Sequence, residues 1–321
     1  MDNKFLILKK KFPSLKKNVS MKSCTTFKIG GEAEYFLVAK SKKEVLDAIK
    51  IAKKLGVEIF FLGGGSNLIV LDNGVKGLVI KNKIEKPILL KKDNIVEAPT
   101  GAVLGKVVDF AIKNSLKGVE WAGGLPGTFG GAIRGNAGAF GGEIKDSVFY
   151  VEALDNNLKL RKLNNKECDF SYRSSIFKEK NWTILSARIK LVKGDKKELG
   201  KIAKSRIEYR KEKHPLEYPN AGSVFKNVSF EKVPEKFKDI FKDKVKQDPF
   251  PIVPAAWFII GAELSGRKIG GAQISKKHSN YIVNLGGASA QDVLSLIDLA
   301  KSEVNKKYGI ILETEVQIIA Y

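Results

Sequence analysis

Cysteine and histidine are almost missing from this sequence, and so are several fingerprints that would have settled its chemistry early. Two cysteines, Cys24 and Cys168, stand in 321 residues. They are too few for a disulfide framework, and no CxxC pair occurs, so they read as free thiols in a reducing compartment. Two histidines, His214 and His278, argue against a His-based metal centre, and no metal is expected. No apolar run reaches the roughly 18–20 residues of a membrane span. The opening stretch MDNKFLILKKKF runs straight into Lys9, Lys10 and Lys11, and no small-residue cleavage site follows where a signal peptide would carry one. The chain is therefore expected in the cytoplasm, away from the membrane. The GK[ST] of a P-loop, the GxGxxG of a dinucleotide fold and the GxSxG elbow of a hydrolase are all lacking.

Acidic residues are also short. Against 57 Lys and Arg there are 35 Asp and Glu, a net charge of +22. The lysines are spread along the chain among glutamates and aspartates and are not gathered into one arm, so they read as solvated faces and no nucleic-acid partner is expected. A positive field would still draw in an anionic substrate such as a nucleotide diphosphate. A composition 43% hydrophobic and 29% charged is that of a globular protein, and the length suits about two domains.

Along the chain, Tyr35 to Ala39 reads as a strand. Ser41 with Glu44 forms a capping box that opens a helix ended by Gly56. Val57 to Leu62 reads as a buried strand leading into Gly63-Gly64-Gly65-Ser66-Asn67. A second helix is expected from Val103 to Leu116, ended by Gly118. Residues 118–142 then hold ten of the 30 glycines. Val148 to Leu154 and Thr183 to Val192 read as strands. Asp195 and Glu198 cap a basic helix that runs to about Lys213 and stops before Pro215. Residues 229–254 suggest loop and short helix. Ser289 and Asp292 open a helix from Val293 to about Lys307, ended by Gly309, and Ile310 to Ala320 reads as a closing strand. The character of the sequence changes near 195, where a domain boundary is expected.

Glycine lets backbone amides approach a ligand and point inward, and a run of them makes an anion-binding nest. One such cluster is by default a set of tight turns; two in one chain, the second so long, favour a pyrophosphate held outside a Rossmann site. Ser223, between small residues in NAGSVFKN, is by default a loop residue. Arg173 in SYRSSIF is by default a surface residue. Strand alternation in LETEVQII puts Glu313, Glu315 and Gln317 on one face, by default a solvated one. Pattern alone does not bring these residues together.

The ordered set TTFKIGGEAEYF, GGGSN, GLPGTFGGAIRGNAGAFGGE, YRSSIF, KHP, NAGSVFKN and LETEV resembles the UDP-N-acetylenolpyruvoylglucosamine reductase family, from about residue 20 to the C-terminus. The resemblance implies an α+β fold: a two-part FAD-binding domain of the vanillyl-alcohol-oxidase type over 1–198, with lobes of about 1–95 and 96–198, and a smaller α+β substrate-binding domain over 199–305. It also implies that residues 306–321 return to the flavin site. The implied reaction is the NADPH-dependent, FAD-mediated reduction of UDP-N-acetylglucosamine enolpyruvate to UDP-N-acetylmuramate, in peptidoglycan precursor synthesis, by a monomer.

Residue by residue, the resemblance makes Gly63, Gly64, Gly65, Ser66, Asn67, Gly127, Thr128, Gly131, Asn136 and Gly138 FAD contacts. It makes Arg173 the arginine beside the substrate carboxylate, Glu315 its partner carboxyl group, Ser223 the proton donor, and Lys213 and Asn227 contacts of the substrate diphosphate and sugar. Val228 stands where proline is usual and Ala256 where glycine is usual. Only about 30 residues separate Arg173 from the helix at Arg206, so the chain resembles the shorter type, without an inserted tyrosine-bearing loop. Two other readings remain. One is an FAD-dependent oxidase or dehydrogenase on the same domain, disfavoured because no histidine lies in either glycine cluster. The other, more remote, is a basic nucleic-acid-binding protein, which lacks any aromatic-interleaved basic motif.

Overall fold

The computed structural model describes residues 2–84 and 87–320, which fold as two compact units of mixed helix and strand. The first holds the chain up to Val19, Ala33–Gly64 and Lys76–Glu208; the second holds Ser20–Glu32, Gly65–Val75 and the chain from Tyr209 onward.

In the first unit a four-stranded sheet runs in the order Lys16–Ser20, Glu32–Ala39, Val75–Asn82, Ile59–Leu62. Its last two strands are parallel. The helix Lys42–Lys54 buries Val45, Ala48, Ile49 and Ala52 in one apolar cluster with Leu37, Leu78 and Ile80 from the sheet. These four residues recur at helical spacing, so the helix has one apolar stripe to cover. Ser41 caps it by accepting from the Glu44 N–H. The Glu44 carboxylate accepts from the N–H of Lys40 and not of Ser41, so the expected capping box is displaced by one residue.

A second, antiparallel sheet runs in the order Leu160–Asn164, Val148–Leu154, Thr183–Lys190, Ile95–Ala98, Leu89–Leu90. Its core is separate and includes Val107, Phe129, Val151 and Ile189. The helix expected to reach Leu116 is Leu104–Lys113. The Asn114 amide donates back to the Phe110 carbonyl, Ser115 takes a left-handed φ of 56°, and Leu116 already pairs with Lys193. The strand expected from Thr183 to Val192 divides into Thr183–Lys190, which pairs with Ile95–Ala98, and Val192–Lys193, which pairs with Leu116–Lys117.

The second unit is built around the helix Ala290–Tyr308. Ser289 and Asp292 close both halves of its capping box, and Gly309 ends it at φ 68°, a conformation that costs glycine nothing. The helix shares a core with Phe225, Val253 and Phe258, and with a three-stranded antiparallel sheet of Lys268–Ile269, Ala272–Ile274 and Ile282–Asn284. Residues 229–254 hold the expected short helix, Glu235–Phe241, and also a short strand, Ile252–Val253, which pairs with Val228–Ser229.

The closing segment is not one strand. Only Gln317–Ile319 is a strand, parallel to Leu68–Val70. Upstream of it the N–H groups of both Glu315 and Val316 turn to the single carbonyl of Val224. That sharing shifts the alternation, so Leu312, Val316 and Ile319 are buried while Ile318 is 41% exposed. Tyr321, the last residue of the 306–321 segment expected to return to the flavin site, lies outside the described residues.

Phe258 has no solvent exposure and stacks between Phe241, at a ring distance of 4.4 Å, and Tyr308, at 5.6 Å. Phe258→Ala leaves a void that these rings cannot refill, so it should lower stability by about 3–5 kcal/mol. Urea unfolding followed by circular dichroism checks this; a loss below about 1 kcal/mol would mean that the ring cluster repacks freely.

Candidate active site

In the first unit the two glycine clusters meet main chain to main chain. A Cβ at Gly64 would stand 2.8 Å from Gly127 Cα, and one at Gly63 would stand 2.9 Å from Thr128 Oγ1. The junction therefore admits no side chain. The second cluster is pinned from below: Leu104 N–H donates to Gly127 O, Phe129 N–H to Ala102 O and Gly130 N–H to Thr100 O. Thr128 Oγ1 accepts from Gly131 N–H, which binds the loop to itself. A surface made of backbone at fixed positions, with no side chain in the way, suits a pyrophosphate held by amides.

Asn136 is fully buried. Its amide donates to Ser171 O and to Glu143 Oε1, and its oxygen accepts from Lys145 N–H. It thereby joins the second glycine cluster to the segment that carries Arg173. Arg173 Nη2 donates to Gly138 O at 2.9 Å, and its Nη1 lies 4.0 Å from Glu143 Oε1. The guanidinium also lies 4.9 Å from the Tyr172 ring centroid. Arg173, Asn136 and Gly138 are thus one cluster. Glu143, in the GAFGGE run but with no role in the sequence reading, is the acid at its centre. An acid after a glycine run looks like a surface residue, and only the fold shows it buried beside two partners.

The second unit gathers the other residues. Asn220 folds the loop ahead of Ser223: its amide donates to Tyr218 O and Pro215 O, and its oxygen accepts from Gly222 N–H. Behind Ser223, Val224 N–H donates to Asn280 O. The Asn280 side chain accepts from Phe225 N–H and donates to Phe225 O, both at 2.9 Å. Ser223 is half-buried and shares a hydrogen bond with the phenol of Tyr281.

Glu315 enters from the other side, its N–H on Val224 O at 2.8 Å. Asn67 Nδ2 donates to Glu315 O at 3.2 Å, and Gln317 N–H donates to Asn67 O. Ser66, Asn67, Ser223 and Glu315 thus converge in one place, and Gly65 is tied to the neighbouring Thr26 N–H through its carbonyl. Burial pushes the Tyr281 phenol up to about 12, and burial brings His214 beside it down to about 4. Asn227 Oδ1 accepts from Ala255 N–H, at the start of the helix Ala255–Gly261. Lys213 is exposed and paired with Glu212 at 2.7 Å. Tyr281 and Asn280 escaped the sequence reading because NYIVN reads as an ordinary core strand.

Among the described residues no group of His, Cys, Asp and Glu could hold a metal ion, no helix is long and apolar enough to cross a membrane, and neither cysteine is in a disulfide.

Comparison with known proteins first gives the class. A model of the FAD binding domain matches residues 33–164, the part of the chain that holds the glycine junction, and the chain is an FAD-dependent oxidoreductase. A model of the C-terminal domain of UDP-N-acetylenolpyruvoylglucosamine reductase matches residues 214–319. The reductase of that name from Clostridium novyi is 39% identical over 306 residues, covering 95% of this chain and 92% of the relative. The one from Alkaliphilus oremlandii is 40% identical over 299 residues, covering 93% and 91%. The crystal structure of the Thermus caldophilus enzyme superposes with a TM-score of 0.76 at 28% identity, over 95% of this chain and all of that one. The chain belongs to the UDP-N-acetylenolpyruvoylglucosamine reductase family.

The Gly64–Gly127 junction generates a test. Gly64→Ala drives a Cβ into backbone that cannot move cheaply, so the purified protein should keep its fold and lose most of its FAD, read as the ratio of flavin to protein absorbance. Gly105→Ala, in a helix with nothing within 4 Å of the new Cβ, should keep its FAD and gain up to about 1 kcal/mol of stability. Full flavin content in Gly64→Ala would show that the junction does not shape the site.

Proposed function

We propose that the glycine junction with Arg173 and the Ser223–Glu315 cluster supply complementary parts of a single reduction. Family membership defines that reaction: NADPH-dependent, FAD-mediated reduction of the enolpyruvyl group of UDP-N-acetylglucosamine enolpyruvate, in peptidoglycan synthesis. Bound FAD supplies the route by which hydride from NADPH reaches the substrate. The observation that carries the reading is the meeting of the two glycine clusters main chain to main chain, the second cluster reaching Arg173 through the Gly138 carbonyl.

On this reading Gly63, Gly64, Gly127, Thr128, Gly131 and Gly138 hold the pyrophosphate of FAD, with Gly65, Ser66 and Asn67 continuing the same loop. Asn136 positions the loop through its buried bonds. Hydride addition to the enolpyruvyl double bond builds negative charge toward the substrate carboxylate. Arg173 faces that charge with a planar fork that matches a carboxylate. Ser223 gives a proton to the neighbouring carbon, and Glu315 assists as the partner carboxyl group. Lys213 and Asn227 contact the diphosphate and sugar. The chain acts as a cytoplasmic monomer on this reading; its basic charge, spread along the sequence and not gathered into one arm, supports attraction of an anionic nucleotide sugar without binding of nucleic acid.

The test is anaerobic stopped flow. NADPH should bleach the bound flavin, and UDP-N-acetylglucosamine enolpyruvate should restore its colour. In Ser223→Ala the bleaching should keep its rate, while recolouring slows by roughly 10²–10⁴-fold, as for loss of a general acid. A flavin that NADPH bleaches but the enolpyruvyl substrate never recolours would point instead to an oxidase or dehydrogenase of other alcohols.

Arg173→Lys keeps the charge and loses the fork. Steady-state turnover should drop more than tenfold, equivalent to more than about 1.4 kcal/mol of transition-state stabilisation, with flavin reduction by NADPH nearly unchanged. Near-normal turnover would remove Arg173 from the site.

A further inference from the structure

Three ring residues that the reaction as drawn does not use stand directly behind Ser223. The Tyr281 oxygen lies 3.0 Å from His214 Nδ1 and shares a hydrogen bond with Ser223. The rings of His214 and Tyr281 lie 5.1 Å apart, those of His278 and Tyr281 4.9 Å, and those of the two histidines 5.4 Å. Tyr281 is 7% exposed. A hydroxyl, a phenol and an imidazole therefore form an unbroken series of exchangeable protons that leads away from the reacting serine.

We propose that Tyr281 and His214 act as a proton relay that positions the Ser223 hydroxyl and returns a proton to it once Ser223 has given its own to the substrate. The proposal rests on Ser223 being the proton donor.

The protons balance as follows. The Ser223 O–H bond breaks as a C–H bond forms on the substrate. The Tyr281 O–H breaks as the Ser223 O–H re-forms. The His214 Nδ1–H breaks as the Tyr281 O–H re-forms, a solvent hydronium delivers a proton to His214 Nε2, and exchange of the ring proton with solvent restores the Nδ1–H form. One solvent proton enters per turnover, and the electrons are those of the established reduction.

The charges around the series keep it neutral between turnovers. Burial is the main force holding Tyr281 protonated, with Glu315 and Tyr209 adding to it and Arg210 and Ser223 opposing it. Burial is likewise the main force keeping His214 neutral, reinforced by His278, Arg210, Lys277 and Lys246. A neutral imidazole donates from one nitrogen and accepts at the other, as a relay requires. The buried Arg210 guanidinium favours a transient phenolate at Tyr281 while opposing an imidazolium at His214. His278 is a wall and not a carrier: its Nδ1 accepts from Asn280 N–H, which leaves its proton on Nε2.

The competing reading is that the Tyr281–His214 bond only satisfies two buried polar groups. Tyr281→Phe separates the two, because it keeps the ring and removes the hydroxyl. Prereduced holoenzyme is mixed anaerobically with UDP-N-acetylglucosamine enolpyruvate in H2O, D2O and mixtures of the two. Flavin recolouring should slow by about tenfold or more, with the rate of bleaching by NADPH and the substrate Kd unchanged. The dependence on deuterium fraction should change from curved, with several protons in flight, to linear. His214→Gln, which cannot pass a proton through its ring, should do the same and serves if Tyr281→Phe does not fold.

Recolouring of Tyr281→Phe at the wild-type rate overturns the relay. So does slowing that comes with weakened substrate binding and an unchanged curved deuterium dependence. Ser223→Ala is run beside it. If that variant is slow while Tyr281→Phe is normal, the relay alone fails; if Ser223→Ala is itself normal, the proton donor is misassigned and the relay falls with it.

Discussion

The second unit depends on the return of the chain end to the strand that follows the first glycine cluster. Gln317–Ile319 lies parallel to Leu68–Val70, and the Asn67 amide reaches the Glu315 carbonyl across 248 residues of sequence. No local propensity could place Glu315 beside Ser223; this pairing does so, together with the bridge between Phe225 and Thr314. It also explains the slip just upstream. A strand in regular register would give Glu315 and Val316 separate partners. Here both N–H groups use one carbonyl of Val224, which bends the segment so that the Ser223 loop and the parallel pair are both satisfied.

Asn280 acts on the same loop from the opposite side. Its main-chain carbonyl takes the Val224 N–H, and its side chain takes the N–H and C=O of Phe225. At 3% exposure these bonds exchange little with water, and a fully satisfied buried network fixes one geometry. The residues on either side of the Ser223 hydroxyl are therefore rigid. With Asn220 folding the preceding turn, the serine has little freedom beyond rotation of its own hydroxyl. For the proposed proton donor that rigidity matters, because a weak acid can act only if it already points at the acceptor.

Much of this was legible in sequence wherever one residue decides a local event. Ser289 and Asp292 close both halves of their capping box, Gly309 ends the same helix, and Ser41 caps the helix Lys42–Lys54. The ordered motifs carried the family. The misses have a common cause: a distant partner overrode a local pattern. Leu116 could have extended its helix but pairs with Lys193. Ile318 and Ile319 exchange the sides that alternation assigns them, because Val224 shifts the register upstream. Glu143 and Tyr281 were invisible as site residues for the same reason. An acid after glycines and a tyrosine before a β-branched run acquire meaning only from Asn136, Arg173, His214 and Ser223, which lie far away in sequence or on other elements.

Arg173 shows how a local irregularity and the proposed chemical role can coincide. Ser171 and Ser174 exchange both N–H···O=C bonds, so Tyr172 and Arg173 form the tip of a two-residue turn. Arg173 takes a φ of 58° there. Such a position in a tight turn ordinarily goes to glycine or asparagine, and a residue with a Cβ there costs on the order of 1 kcal/mol. The turn accepts that cost because its surroundings leave the backbone no alternative. The Lys178 ammonium donates to the Arg173 carbonyl, and the Asn136 amide holds Ser171 O. A glycine would relieve the strain but would remove the guanidinium that reaches Gly138 O. Turning the residue to negative φ would swing that guanidinium away from the glycine cluster. The strained backbone and the position of the fork are thus one constraint, which is why lysine, able to adopt the same backbone, is not expected to replace it.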